Sequence, residues 1–359
     1  MNSRKFKKAI KRLSNLPTGK YFFMYSWNKV KHFYYKIIKS TKIAYPSTVM
    51  IELSAHCNLH CTTCPREYAY GKEMDKGYMA VDNAKKIIDE LWPYLDSVGL
   101  TGMGETFLYK EIEEIVDYIK SKNKGIIISI STNAVIPNFI ETVTPLVGKI
   151  DTIQISIDGL NEIYDSIRLN ASFSILDNNL RTLRKLFPKS ETTFMLNMVV
   201  TKENYHQMAD LISYAEKIGI QYMNFTLFNL ASVTNVPANY YDMYQETKFI
   251  DELKKVEKKK SQTKNVIVTN WDYNSKNEFK KCNLPWSHFA ICWNGEIPPC
   301  CAKPFPKELS FGNVLEQGVM PVLNSHKFRA FRIMWFANKT PEFCDKCHFI
   351  DIKPIPVNN

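Results

Sequence analysis

Three cysteines, Cys57, Cys61 and Cys64, stand in a C-x3-C-x2-C spacing directly after a strand-like run. Three thiolates cannot complete a tetrahedral zinc site, and an odd number cannot all pair as disulfides. They can hold three irons of a four-iron cluster and leave the fourth iron open to a substrate. Farther along, Cys282, Cys300 or Cys301, Cys344 and Cys347 offer four thiolates, a set that suits zinc as well as an iron–sulfur cluster. Cys292 is left over and reads as a small buried apolar residue. Nine cysteines with no secretory signal point to thiolate–metal chemistry in a reducing cytoplasm.

The elements that must position these groups alternate from about residue 48 onward. Residues 49–53, 97–101, 125–131, 152–157, 193–200 and 222–227 read as strands. Residues 81–91 and 109–122 read as helices, the second with Ile112, Ile115, Val116 and Ile119 inward; a later helix turns Leu180, Leu183 and Leu186 inward. Repeated βα units predict an α/β fold with a parallel sheet and helices outside, and six units suit an open, partial (β/α)6 TIM-like barrel. Functional groups in such barrels gather at the C-terminal ends of the strands. Those ends carry Gly102-Met103-Gly104-Glu105, Ser131-Thr132-Asn133, Ile155-Ser156-Ile157-Asp158-Gly159 and Tyr164-Asp165-Ser166-Ile167-Arg168. Glycines let a backbone approach a ligand closely, a carboxylate accepts from an ammonium, and a guanidinium pairs with a carboxylate. Plainer readings stand beside these: Asp158 as a turn cap and Arg168 as a surface ion pair.

A C-x3-C-x2-C loop followed by these four segments in order resembles the radical S-adenosylmethionine (SAM) superfamily, over roughly residues 48–230. The resemblance implies a 4Fe–4S cluster on Cys57, Cys61 and Cys64, with SAM on the open iron and a 5′-deoxyadenosyl radical from its one-electron cleavage. It implies that Gly102, Gly104 and Glu105 hold the SAM amino group, Ser131 and Asn133 reach the ribose, Ser156 touches SAM, and Arg168 meets its carboxylate. Two positions depart from the family pattern: Thr63 replaces an aromatic or large apolar residue, and Ala134 replaces a glycine. At the C-terminal end, Cys282, then Gly295-x4-Cys300, Gly312-Asn313 and Cys344-Asp345-Lys346-Cys347 resemble the SPASM/twitch extension. A full SPASM domain has seven cysteines for two clusters, whereas residues 348–359 contain none. The resemblance therefore implies one auxiliary 4Fe–4S cluster on Cys282, Cys300, Cys344 and Cys347, with Cys301 able to replace Cys300 and a structural zinc as the rival occupant.

This divides the chain into a basic helical arm (1–47), a radical SAM core (48–235), a lysine-rich connecting helix (236–264) and an auxiliary cluster domain (265–359). Of the 47 Lys/Arg, twelve lie in residues 1–51, where no acid occurs, so the +11 net charge belongs to the arm and nucleic-acid binding is not expected of the body. Phe6, Ala9, Ile10 and Leu13 share one face of a first helix, and Trp27, Val30, Tyr34 and Ile37 recur at helical spacing in a second. Such an arm suits peripheral contact with an anionic membrane, or equally a hairpin packed on the body. No run of about 18 apolar residues occurs, so no transmembrane helix is expected.

A closed four-thiolate cluster has no open iron and serves as an electron acceptor, which favours a two-electron oxidation, a dehydrogenation. The alternatives are a peptide-modifying maturase with a separate leader-binding partner and a non-catalytic iron–sulfur or zinc-binding interaction protein. The resemblance further implies an external one-electron donor of flavodoxin or ferredoxin type. The substrate is expected to be a small molecule, a lipid-linked compound or a peptide.

Overall fold

A computed structural model describes residues 3–233, 236–237, 239–263, 265–269, 282–337, 341–344 and 347. Residues 270–281 and 348–359 of the expected cluster domain therefore lie outside the described residues. β-branched runs form eight strands: β1 Thr48–Ile51, β2 Ser97–Leu100, β3 Ile127–Thr132, β4 Thr152–Ser156, β5 Thr193–Val200, β6 Tyr222–Leu227, β7 Ile267–Thr269 and β8 Phe289–Ile291. They make one parallel sheet in the order β8-β1-β2-β3-β4-β5-β6-β7, open between β8 and β7, which is a partial barrel. The six inner strands are those read from the sequence. The two outer ones are not, and β8 comes from the C-terminal cysteine region: Val49 pairs with Phe289 and Ile51 with Ile291.

The arm forms α1 Ser3–Ser14 and α2 Lys20–Ile37, a hairpin across the N-terminal ends of the strands. Asp96, just before β2, receives Arg12 Nε at 2.9 Å, Lys29 Nζ at 2.5 Å and the Tyr25 hydroxyl at 2.7 Å. Asp151, just before β4, receives Lys11 Nζ at 2.6 Å and Lys120 Nζ at 2.9 Å. Outside the sheet lie α3 Val81–Leu91, α4 Ile112–Lys122, α5 Phe173–Leu186, α6 Met208–Ile218 and α7 Thr247–Gln262. Helix α4 buries Ile112, Ile115, Val116 and Ile119 as their spacing requires. In α5 the buried stripe is Leu176, Leu180 and Leu183; Leu186 is 52% exposed, contrary to expectation, because it sits off the stripe on the last helical residue. The lysine-rich α7 buries Phe249, Leu253 and Val256 and pairs lysines with acids three residues earlier, as in Asp251–Lys254.

The C-terminal region is tied to the core by buried polar contacts. Helix α8, His326–Phe336, carries the fully buried Arg332, which donates to the carbonyls of Thr41, Pro285 and Leu323. The Glu90 carboxylate of α3 accepts the backbone N–H groups of Val319 and Met320 at the start of a short helix.

Candidate radical SAM and auxiliary cluster sites

Beyond β1 the chain crosses the C-terminal end of the sheet, and this crossing contains the first three cysteines. His60–Cys61 pairs antiparallel with Arg168–Leu169, and the Thr62 N–H donates to the Ile167 carbonyl at 2.9 Å, so the cysteine loop is fastened to the segment after β4. The Cys64 N–H donates to the Cys61 carbonyl at 2.9 Å before the turn Pro65–Glu67. Burial pushes the Cys57 thiol up, Cys61 to about 11 and Cys64 to about 12. Thiolates there need a cation close by, which cluster irons provide.

The remaining expected SAM residues converge on the same end. Gly102 and Gly104 are required by close packing: a Cβ on Gly102 would fall 2.3 Å from the Glu52 side chain, and one on Gly104 2.2 Å from the Ser54 carbonyl. Glu105 is buried, and its carboxylate accepts the Thr132 hydroxyl at 2.8 Å and the N–H groups of Phe107 at 3.1 Å and Asn133 at 2.7 Å. Burial raises its carboxyl pKa and these donors oppose the rise. Glu105 thus ties the segment after β2 to the end of β3. The Ser131 N–H donates to Thr101 Oγ1 at 3.0 Å. The Asn133 amide donates to Asn58 Oδ1 in the cysteine loop at 2.9 Å. Ala134, where the family has glycine, adopts φ +58°, the left-handed conformation that explains the preference. Ser156 lies opposite Asn197 in the sheet.

Arg168 is not a surface ion pair. Its side chain is 9% exposed, its Nη2 lies 2.9 Å from Oδ2 of the fully buried Asp158, and its Nη1 lies 3.9 Å from Cys61 Sγ. Burial alone would lower the guanidinium pKa, but Asp158 and Cys61 together raise it. Its Nε is buried without a partner among the described residues. A buried donor left open beside the cysteine loop fits a bound carboxylate.

Sequence reasoning missed two side chains that hold this site together. Glu52, the first acid of the chain, is buried at the end of β1 and accepts the N–H of Met103 at 2.6 Å and of Trp293 at 3.2 Å. Arg66, two residues after Cys64, is also buried and donates to the carbonyls of Ala55 at 2.8 Å and Met103 at 3.0 Å. The signal for each was a charged residue inside an otherwise apolar or cysteine-bearing stretch. A polar row also crosses the lumen: Asn224 Nδ2 donates to Asn197 Oδ1 at 2.6 Å, and the Thr269 hydroxyl to Asn224 Oδ1 at 2.5 Å.

The second cysteine set lines one small cavity. Cys282, Cys300, Cys344 and Cys347 share its wall with Pro285 and Trp335, among other side chains, whereas Cys301 is exposed. Trp335 is fully buried and its Nε1 has no hydrogen-bond partner among the described residues. Cys292 is buried, with its Sγ 3.8 Å from the Pro304 carbonyl oxygen.

Residues 51–215 match the radical SAM superfamily and residues 282–348 match SPASM, an iron–sulfur cluster-binding domain. The chain belongs to the radical SAM superfamily and carries a C-terminal SPASM domain, so its cofactors are SAM, a 4Fe–4S cluster and auxiliary iron–sulfur chemistry. It is 25% identical over 308 residues, 79% of this chain and 82% of the relative, to a tungsten-containing aldehyde ferredoxin oxidoreductase cofactor-modifying protein of Pyrococcus furiosus. It is 25% identical over 86% of its length to the subtilosin biosynthesis protein AlbA of Bacillus subtilis, spanning 65% of that protein. A mycofactocin maturase of Mycolicibacterium smegmatis is 30% identical over 48% of this chain and 43% of the maturase. The chain thus spans less than two thirds of the last two relatives. Among solved structures, the fold is shared with Streptococcus suis SuiB bound to precursor peptide SuiA, with TM-score 0.67, 18% identity, 91% of this chain and 75% of SuiB covered.

Proposed function

We propose that this enzyme carries out a two-electron oxidation of a peptide substrate, using one auxiliary 4Fe–4S cluster on Cys282, Cys300, Cys344 and Cys347 as electron acceptor. The observation that carries the oxidation is the cavity itself: four cysteines line it, so a cluster held by all four has no open iron and can exchange electrons only. The peptide substrate rests on the relatives, one a bacteriocin biosynthesis protein and one a mycofactocin maturase. When loaded, the first cluster with SAM supplies the one-electron chemistry that removes hydrogen from the substrate.

The residues of this chain orient and shield. Asp158 fixes the Arg168 guanidinium, whose open Nε–H would be available to the SAM carboxylate. Glu52 and Arg66 hold the Met103 peptide from opposite sides, so the Gly102–Gly104 backbone is set for the SAM amino group. Glu105 fixes Asn133 for the ribose, and Ser156 with the Asn197–Asn224 row faces the substrate side. The expected external reductant is a flavodoxin- or ferredoxin-type protein.

Anaerobic reconstitution with iron counting, plus an assay for 5′-deoxyadenosine, tests the reading. About eight irons per chain, falling to about four with no 5′-deoxyadenosine in a Cys57/Cys61/Cys64→Ala variant, support it. About four irons and one zinc would remove the electron acceptor and leave a redox-neutral reaction. No 5′-deoxyadenosine from the reconstituted protein would overturn the enzyme reading.

A further inference from the structure

We propose that the α1–α2 hairpin is an anchoring surface for an anionic lipid bilayer, with the outer face of α2 entering the headgroup layer. An ordinary surface helix buries its apolar stripe and exposes its polar one. Helix α2 does the reverse. Its inward side is polar or aromatic-polar: Tyr25 reaches Asp96, Asn28 is buried and donates to the Tyr45 carbonyl at 2.9 Å, and the His32 ring reaches the same oxygen at 2.8 Å. Its outward side presents Phe23, Trp27, Val30, Phe33, Tyr34 and Ile37, each between 52% and 73% exposed. At about 100° per residue these six fall within one side of the helix, opposite Asn28 and His32. Ile10 and Leu13 of α1 are exposed as well, at 47% and 68%.

Of the nineteen large apolar side chains exposed among the described residues, eleven lie between Ile10 and Ile38. A contiguous patch of this kind marks an interaction surface. Charge complementarity chooses the occupant. Lys20, Lys31 and Lys36 flank the stripe and are exposed, Lys39 and Lys42 follow the helix, and the segment contains no acid before Glu52. Aromatic and aliphatic side chains on one face, with lysine stems at its borders, match an interfacial helix on anionic lipid. The cations that bind the body, Lys11, Arg12 and Lys29, are distinct from these, so docking on the protein does not consume the lipid-facing charge.

The hairpin is fastened to Asp96 and Asp151 at the N-terminal ends of the strands, whereas the SAM residues gather at the C-terminal ends, so this surface anchors the enzyme without covering the SAM end. The full chain, floated with vesicles of phosphatidylcholine alone or with phosphatidylglycerol added, provides the test. We expect binding at least about tenfold stronger to the anionic vesicles, weakening from 0.1 to 0.5 M salt. A Trp27→Ser/Phe33→Ser variant should lose that binding while keeping its iron content and 5′-deoxyadenosine production, which shows that it still folds. Equal binding to both vesicle types, no flotation, or binding unchanged in the variant would overturn the proposal. So would a dimer seen by sedimentation without lipid and abolished by the same substitutions, which would assign the face to a second copy of this chain.

Discussion

Arg168 carries two loads, since one arm of its guanidinium is neutralised by Asp158 while another approaches the Cys61 sulfur. A lysine would keep a charge but lose the fork that divides it between partners. We therefore expect Arg168→Lys to weaken SAM binding by about tenfold or more in an equilibrium titration, the value of one charge-assisted hydrogen bond. Trp335 presents a different kind of test. An indole N–H donated to cluster sulfur would stabilise the reduced, more negative state, so if Trp335 of the cavity wall makes that bond, Trp335→Phe should lower the auxiliary midpoint potential. A loss of about 0.5–1.5 kcal/mol in a one-electron couple corresponds to a fall of about 20–60 mV, measurable by redox titration at unchanged iron content. Ala134 tests strain alone. At φ +58° glycine carries no Cβ penalty, so Ala134→Gly should raise stability by up to about 1 kcal/mol in urea unfolding.

Between elements, the arm is held by carboxylates at the strand starts. Burial would raise the Asp96 and Asp151 pKa values, but Lys29, Tyr25 and Arg12 around Asp96, and Lys120 and Lys11 around Asp151, hold both below the ordinary carboxylate range. A depressed folded pKa contributes stability above the unfolded value, near 3.9, and that contribution is lost as pH falls through the folded value. The arm should therefore stay docked at neutral pH and loosen below about pH 4. Hydrogen exchange in residues 9–37 should rise across that window, and Asp96→Asn should show faster exchange already at pH 7. Exchange in α1 and α2 that stays flat from pH 7 to 3 would contradict the account.

At the scale of the molecule, the SPASM region completes the core rather than hanging from it. Strand β8 pairs with β1, Glu52 at the end of β1 accepts from Trp293, and Glu90 caps the Val319 turn. A chain ending at residue 281 exposes the β1 edge and leaves Glu52 without one of its donors. It should aggregate in size-exclusion chromatography and take up fewer than the about four irons of the first cluster, although Cys57, Cys61 and Cys64 are all present. Within the intact chain, Glu52→Ala strands two backbone N–H groups. It should cost about 1–3 kcal/mol for each that stays dry, read by thermal unfolding together with weaker SAM binding.

Local pattern alone determined the six inner strands, the buried face of α4 and the identity of the first cysteine loop, because strand and helix periods and short ligand spacings are properties of neighbouring residues. The same holds for Gly102 and Gly104, whose need for close approach shows in their type. What tertiary structure decided is long-range. It brought Cys282, Cys300, Cys344 and Cys347 to one cavity and left Cys301 exposed. It turned Arg168 inward onto Asp158, where a surface pair had been the plainer reading, and it added β8 to the edge of β1. It also turned the apolar stripe of α2 away from the body, an arrangement that helical spacing cannot specify, since periodicity defines a face but not the direction in which it points.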